Sequence, residues 1–103
     1  MQPFTERVIR IIQQIPAGKV MTYGQIARLA GNSRAARQVA RILHTMSRTY
    51  HLPWHRVVNA RGQIAIKDYE TYEEQIRNLQ MEGVEVSSEG RVDLHTYQYV
   101  PED

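Results

Sequence analysis

Apolar residues recur at helical spacing near the start of the chain. Phe4, Val8, Ile11, Ile12 and Ile15 share one face, while Glu6, Arg7 and Arg10 fall between them. This pattern predicts an amphipathic helix over residues 4–15. Pro16-Ala17-Gly18-Lys19 ends it and turns the chain. Thr22 and Gln25 have the spacing of a capping box, which starts a short helix running to about Ala30, and Gly31 supplies its C-terminal stop. Asn32 or Ser33 is placed to cap a third helix from residue 34 to about residue 47. Two helices joined by a few residues that include glycine predict a helix-turn-helix.

The second half is more broken. Residues 50–53 read as loop. Residues 56–58 and 63–66 read as two short strands around Asn59-Ala60-Arg61-Gly62, which would make a wing. Thr71 and Glu74 have capping-box spacing, and the helix behind them would turn Tyr72, Ile76 and Leu79 inward and end at Gly83. Residues 84–86 and 91–94 would pair across Ser87-Ser88-Glu89-Gly90. After Tyr97 the chain is aromatic and polar with no clear period. The expected fold class is α/β and mainly helical, a small winged helix-turn-helix in one domain spanning residues 1–103.

Charge sharpens this outline. Net charge is only +2, but eleven of the thirteen Lys and Arg residues lie between Arg7 and Lys67, a stretch without one Asp or Glu. Ten of the eleven acidic residues follow, from Asp68 onward. A surface with one sign of charge recruits phosphate backbones by releasing their counterions. The predicted third helix concentrates this charge. Arg34, Arg37 and Arg41 fall within about 60° on a helical wheel, and Arg48 joins them if the helix continues that far. Val39, Ile42, Leu43 and Met46 occupy the other side. A solvated surface helix would mix charge signs, whereas an arginine face backed by an apolar face suits a recognition helix.

Composition removes other classes. No apolar run approaches the ~20 residues that span a bilayer, so no membrane partner is expected. The charges within the first helix do not fit a signal-peptide core. The chain has no cysteine, which eliminates disulfides, thiolate metal sites and thiol nucleophiles together. Among His44, His51, His55 and His95, no pair combines helical i, i+4 spacing with supporting carboxylates, so no metal is expected. No cofactor is expected either.

Pro53-Trp54-His55-Arg56-Val57 resembles the Pro-Cys-His-Arg-Val active-site motif of the O-6-alkylguanine-DNA alkyltransferases, with Trp in place of Cys. The resemblance extends, in order, through Ile15-Pro16, Gly18-Lys19-Val20, Thr22-Tyr23-Gly24, Ala35-Ala36-Arg37 and Glu82-Gly83-Val84 to most of the C-terminal domain of that family. Trp at the cysteine position marks its non-enzymatic branch, the alkyltransferase-like proteins. Transfer of an alkyl group from a guanine oxygen needs a soft, strong nucleophile, and indole is no substitute for a thiolate. The chain is therefore expected not to be an enzyme.

The resemblance implies roles for particular residues. Arg37 matches an arginine finger that enters the base stack and fills the space of a flipped nucleotide; Tyr23 matches a tyrosine that rotates the phosphate 3′ of the lesion. Arg34 and Arg41 would join them on DNA. Ala35 and Ala36 are small enough to let the helix approach a narrow groove. Trp54 and Pro53 would wall the lesion pocket. His55, Arg56 and Glu82 would remain as the scaffold of the former active site, with His55 joined to Glu82 through water. Two positions depart from the alkyltransferases. Met46 replaces a pocket asparagine, and Lys67 stands where the alkyltransferases have Tyr and their non-enzymatic relatives have Arg. Lysine keeps the charge but loses the planar group that stacks on a purine.

The implied function is to bind double-stranded DNA carrying O-6-alkylguanine, flip the damaged base into a pocket through the minor groove, transfer nothing, and flag the lesion to nucleotide excision repair proteins. The expected setting is a cytoplasmic, nucleoid-associated monomer, or a nuclear one in a eukaryote. Two alternatives have different discriminators. A winged-helix regulator would read bases without preferring lesions. A hydrolase using water activated by His55 would release alcohol and restore guanine.

Overall fold

The computed structural model describes residues 1–101. Helix α1 spans Pro3–Gln13, with proline at its first position, where no N–H is needed. Val8, Ile9 and Ile12 are buried along its inner face, and Ile15 is buried just beyond its end. Strand β1, Met21–Thr22, leads directly into α2, Tyr23–Leu29. The predicted capping box is present: Thr22 Oγ1 accepts from the Gln25 N–H at 3.0 Å, and Gln25 Oε1 accepts from the Thr22 N–H at 3.2 Å. At the other end, the Arg7 Nε donates to the Ala30 carbonyl at 2.7 Å, so α1 satisfies one of α2's open acceptors.

Helix α3 spans Ala36–Tyr50. It starts later and ends later than the residue pattern predicts. Asn32 does not cap it; its side chain instead accepts from the Arg34 N–H at 3.0 Å, making a local turn. The N-cap is Ala35, without a side-chain acceptor. At the far end the helix runs through residues expected to be loop, because Met46 and Tyr50 pack onto the core. His51 then ends it in the left-handed region at φ 52°, and Pro53 follows two residues later.

A single 3-10 turn, Trp54–Arg56, leads into strand β2, Val57–Val58. Strand β2 pairs in parallel with β1, placing Met21 opposite Val57 and Thr22 opposite Val58. Residue Gln98 extends this small sheet with a parallel bridge to Val20. The alternation of side chains along strands divides the interior in two. Met21 and Val57 face the cluster formed by α1, α2 and α3, whereas Val20 and Val58 face a second cluster containing Ile64, Leu79, Val84 and Val92.

The predicted wing is not a strand hairpin. Asn59–Gly62 does turn, with the Gly62 N–H donating to Asn59 and the Asn59 N–H to Gln63. Residue Gln63 nevertheless bridges Arg91 rather than a strand at 56–58, and Val92 donates to the Gly62 carbonyl. Gly62 has φ 79°, and a Cβ there would overlap the Val92 carbonyl. Residues 84–86 and 91–94 also do not form the expected pair beyond the Ser87–Arg91 contact that closes the turn. Leu94 begins a short helix α5, Leu94–Tyr97.

Helix α4 spans Tyr69–Met81. Its cap is Asp68, which accepts from both the N–H and the hydroxyl of Thr71, at 3.0 and 2.7 Å. This replaces the expected Thr71–Glu74 box, because a carboxylate three residues earlier outcompetes a threonine that can donate to it. Leu79 is buried as expected; Gln75 is buried too, which sequence reasoning missed. Gln75 Nε2 donates to the carbonyls of His55 and Val57, both at 3.0 Å. Helix α4 thereby grips the backbone on both sides of Arg56.

The C-terminal end of α4 supplies the main polar tie. Glu82 accepts from Arg56 Nε at 3.0 Å and from Arg56 Nη2 at 2.6 Å, and its Oε2 meets His55 Nε2 at 2.8 Å. Its other oxygen accepts from the Gly18 N–H at 3.1 Å. The remaining Arg56 nitrogen, Nη1, donates to the Ile15 carbonyl at 2.7 Å. The expected water between His55 and Glu82 is replaced by this direct contact, which leaves no room for one. An ionised carboxylate only accepts, so the shared hydrogen sits on His55 Nε2.

Burial alone would push the Glu82 carboxyl up. The hydrogen bonds from Arg56, then His55, then Gly18, together with the charge at His55, outweigh burial and hold it at about 2. The carboxylate's contribution to stability is therefore complete above about 4.5 and lost as pH falls toward about 2. Glu82→Gln keeps the shape and removes the charge. It is expected to cost about 1.5–3 kcal/mol at neutral pH, the range for hydrogen bonds to charged groups, and to lie low in that range because the side chain is 16% exposed. Urea unfolding of both proteins across the acid range checks this: the gap between them should close between pH 4.5 and about 2. A gap independent of pH would show that the charge does not hold the tie.

Candidate nucleic-acid interface

The helix-turn-helix is formed by α2 and α3, which pack on each other and on α1. Arg34, Arg37, Arg41 and Arg48 are all exposed. Because α3 continues to Tyr50, Arg48 lies within the helix. Arg37, Arg41, His44 and Arg48 then fall within about 60° on one face. His44 fills the gap in the stripe. Its position was legible from the i, i+4, i+7 spacing alone, inside the predicted helix, and sequence reasoning missed it. On the opposite side Val39, Ile42 and Leu43 are buried, and Met46 is half-buried against the core.

Not every basic residue of the first half is free for a partner. Arg7 is engaged with Ala30, and Arg56 is engaged with Glu82 and Ile15. The stripe on α3 has no acidic partner among the described residues, where the ion pairs both involve Glu82.

At the C-terminal half of α3 an open cleft of about 700 Å³ lies between the helix, the Trp54 turn and residues Ile66 and Thr71. Its volume falls within the roughly 300–1,000 Å³ of small-ligand sites. Tyr23 and Trp54 supply aromatic lining; His44, Arg48 and His51 supply positive or hydrogen-bonding groups. Trp54 is half-buried, packs against the core, and meets the His55 ring edge-on with centroids 6.3 Å apart and planes at 90°. Tyr23 stands at the first position of α2, immediately after its Thr22 cap. Burial pushes its phenol above the ordinary value of 10.0, so the hydroxyl stays protonated and able to donate near neutral pH.

The expected site residues are only partly gathered here. Of the expected lesion-pocket residues, Trp54 lines the cleft, whereas Pro53, Lys67 and Met46 do not. Pro53 caps the 3-10 turn. Lys67 is exposed beside Ile66, which does line the cleft. Met46 is turned to the core, since it lies on the apolar side of α3. Ala35 is 7% exposed and belongs to the core. It cannot face a groove as expected, and Ala36 is the more open of the two. Among the described residues no three His, Asp or Glu side chains are grouped to hold a metal, and no helix is long and apolar enough to cross a membrane.

The chain is similar to known proteins. A protein of Vibrio parahaemolyticus named DNA base-flipping protein is 40% identical over 101 residues, covering 98% of this chain and all of the relative. Alkyltransferase-like protein 1 of Schizosaccharomyces pombe is 39% identical over 103 residues, covering 97% of this chain and 95% of the relative. The crystal structure of that yeast protein in complex with damaged DNA containing O6-carboxymethylguanine superposes with a TM-score of 0.85, at 39% identity and 98% coverage of both chains. The family described as the 6-O-methylguanine DNA methyltransferase DNA-binding domain matches residues 3–84. The chain belongs to that family.

Proposed function

We propose that this protein binds double-stranded DNA carrying O-6-alkylguanine, holds the damaged base outside the helix in the cleft beside Trp54, and leaves the alkyl group in place. The observation that carries this reading is the cleft at the end of the α3 arginine stripe, walled by an indole at the position where the resembling enzymes have their thiol. The names and the complex of the relatives, base flipping in one and damaged DNA in the other, support it.

The residues divide the work. Ala35, as the N-cap of α3, offers no side chain, so the first-turn N–H groups are open to a phosphate. Arg34 and Arg41 contact the backbone. Tyr23, protonated and at the cleft edge, donates to the phosphate beside the extruded nucleotide. Arg37 enters the vacated stack. Extrusion costs a few kcal/mol and costs least for a lesion that already pairs badly. Trp54 packs against the extruded base, and the His55–Arg56–Glu82 tie holds the turn that presents it. His55 commits Nε2 to Glu82, and no thiol exists to accept an alkyl group. Protection of the lesion and its transfer to nucleotide excision repair, by a monomer in the compartment that holds the DNA, complete the proposal.

The deciding experiment compares one duplex with guanine or O-6-methylguanine at a single position by fluorescence anisotropy. Tighter binding to the lesion, with no released methanol and no restored guanine, is expected. Equal affinities would favour a regulator, and turnover would make the protein a hydrolase. Three exposed arginines on the stripe, with exposed Arg34 just ahead of the helix, should give a log–log salt slope of roughly −3 to −4, at about −0.9 per phosphate contact, with the lesion preference much less salt-dependent.

Arg37→Ala separates the finger from its neighbours. Each of Arg34→Ala, Arg37→Ala and Arg41→Ala removes one charge and should change the salt slope by about one if it contacts phosphate. Arg37→Ala should lose roughly 1–3 kcal/mol more on the lesion duplex, the worth of replaced base stacking. A fluorescent base analogue next to the lesion reports extrusion directly. Three variants with equal affinity and intact flipping would remove the finger assignment.

A further inference from the structure

The cleft contains a cluster that base flipping alone does not use. Arg48, His44 and His51 all line it, all three are exposed, and none has a side-chain hydrogen bond or acidic partner among the described residues. They arrive there by two different routes. His44 and Arg48 lie one turn apart on the stripe of α3. His51 follows the end of that helix and is turned by its left-handed backbone at φ 52°. Of the remaining polar lining, Ser47 donates to the Leu43 carbonyl, and Thr71 donates to Asp68. The nearest acids to the cleft along the chain are Glu70, exposed and not among the cleft-lining residues, and Asp68, both of whose described side-chain hydrogen bonds go to Thr71 as the cap of α4. The unengaged polar groups facing the cleft are therefore Arg48, His44, His51 and the Tyr23 hydroxyl; each can donate, none is acidic near neutral pH, and one is permanently cationic.

We infer that this cluster makes the cleft selective for O-6-alkyl groups that carry a negative charge, such as a carboxymethyl group, over neutral groups of the same size. The inference rests on the proposed lesion binding and concerns only what the pocket prefers. An anionic substituent must be carried past the phosphate backbone, and only a cation inside the cleft can offset that repulsion. Arg48 does so with a planar fork suited to a carboxylate, and the imidazoles offer further N–H donors. A DNA phosphate has the same chemistry, so the experiment must distinguish the two sources of anion.

Three duplexes identical except at one base serve this purpose: guanine, O-6-carboxymethylguanine and O-6-carbamoylmethylguanine. The last is nearly isosteric with the second and neutral. For the wild type, the carboxymethyl duplex should bind about tenfold tighter than the carbamoylmethyl duplex, less than a fully buried charged pair would give. Arg48→Met keeps the stem and should bring that ratio close to one, Arg48→Lys should restore part of it, and Arg41→Met, outside the cleft, should weaken all duplexes while leaving the ratio intact. A wild-type ratio of one overturns the inference. So does an Arg48→Met variant that loses the same factor on all three duplexes, which would assign Arg48 to a phosphate. If neither adduct binds better than guanine, the lesion-binding reading fails as well; if both do, to equal degrees, only the charge selectivity fails.

Discussion

The carboxylate of Glu82 joins three stretches of chain at one point: the turn after α1 through the Gly18 N–H, the Trp54 turn through His55 and Arg56, and the end of α4 that carries it. The consequence for the site is positional. Trp54 is presented from a 3-10 turn only three residues long, too short to hold its own geometry. It is fixed because the next two side chains are tied to Glu82 and because Gln75 holds the carbonyls around Arg56. Gly18 is suited to its part because its φ of 86° disfavours other residues, and a Cβ there would press on the Glu82 carbonyl at 3.3 Å. These groups make a rigid mount for an indole.

Legibility in the sequence followed the range of the interactions. The Thr22–Gln25 box lies within four residues, and its reciprocal bonds are those the spacing implies. The apolar faces of α1 and α3 were equally local signals. The Thr71–Glu74 box failed because another local acceptor, Asp68, was better placed. The strands failed for a different reason. Residues 57–58 do pair, but with residues 21–22, and residue 63 pairs with residue 91. No local pattern distinguishes a strand paired with its neighbour from one paired across the chain.

Within the site, the arginine stripe was legible from spacing, and Trp54 only from the resemblance of the motif that contains it. Gln75 was not, because a glutamine on an amphipathic helix reads as surface until two backbone carbonyls are found waiting for it. Met46 and Ala35 were assigned to the pocket and groove by correspondence of position. Their apolar character, taken alone, already placed them on the side of α3 that packs inward.

The helix-turn-helix is completed by residues far from it. Gln25, which helps to cap α2, also donates through Nε2 to the Tyr99 carbonyl at 2.6 Å and accepts through Oε1 from Gln98 at 2.9 Å. Val20 exchanges backbone hydrogen bonds with Tyr97 and Tyr99. These contacts span more than seventy positions, so closing them carries the entropy of a long loop. During synthesis, α1, α2 and α3 can emerge and collapse on one another, but the backbone of Val20, next to β1, stays unpaired until residue 99 has left the ribosome. A nascent chain stalled before that point carries all of the arginine stripe on an unfinished scaffold with that backbone open to wrong partners. The DNA-facing surface and the integrity of its support are thus separated in time as the protein is made.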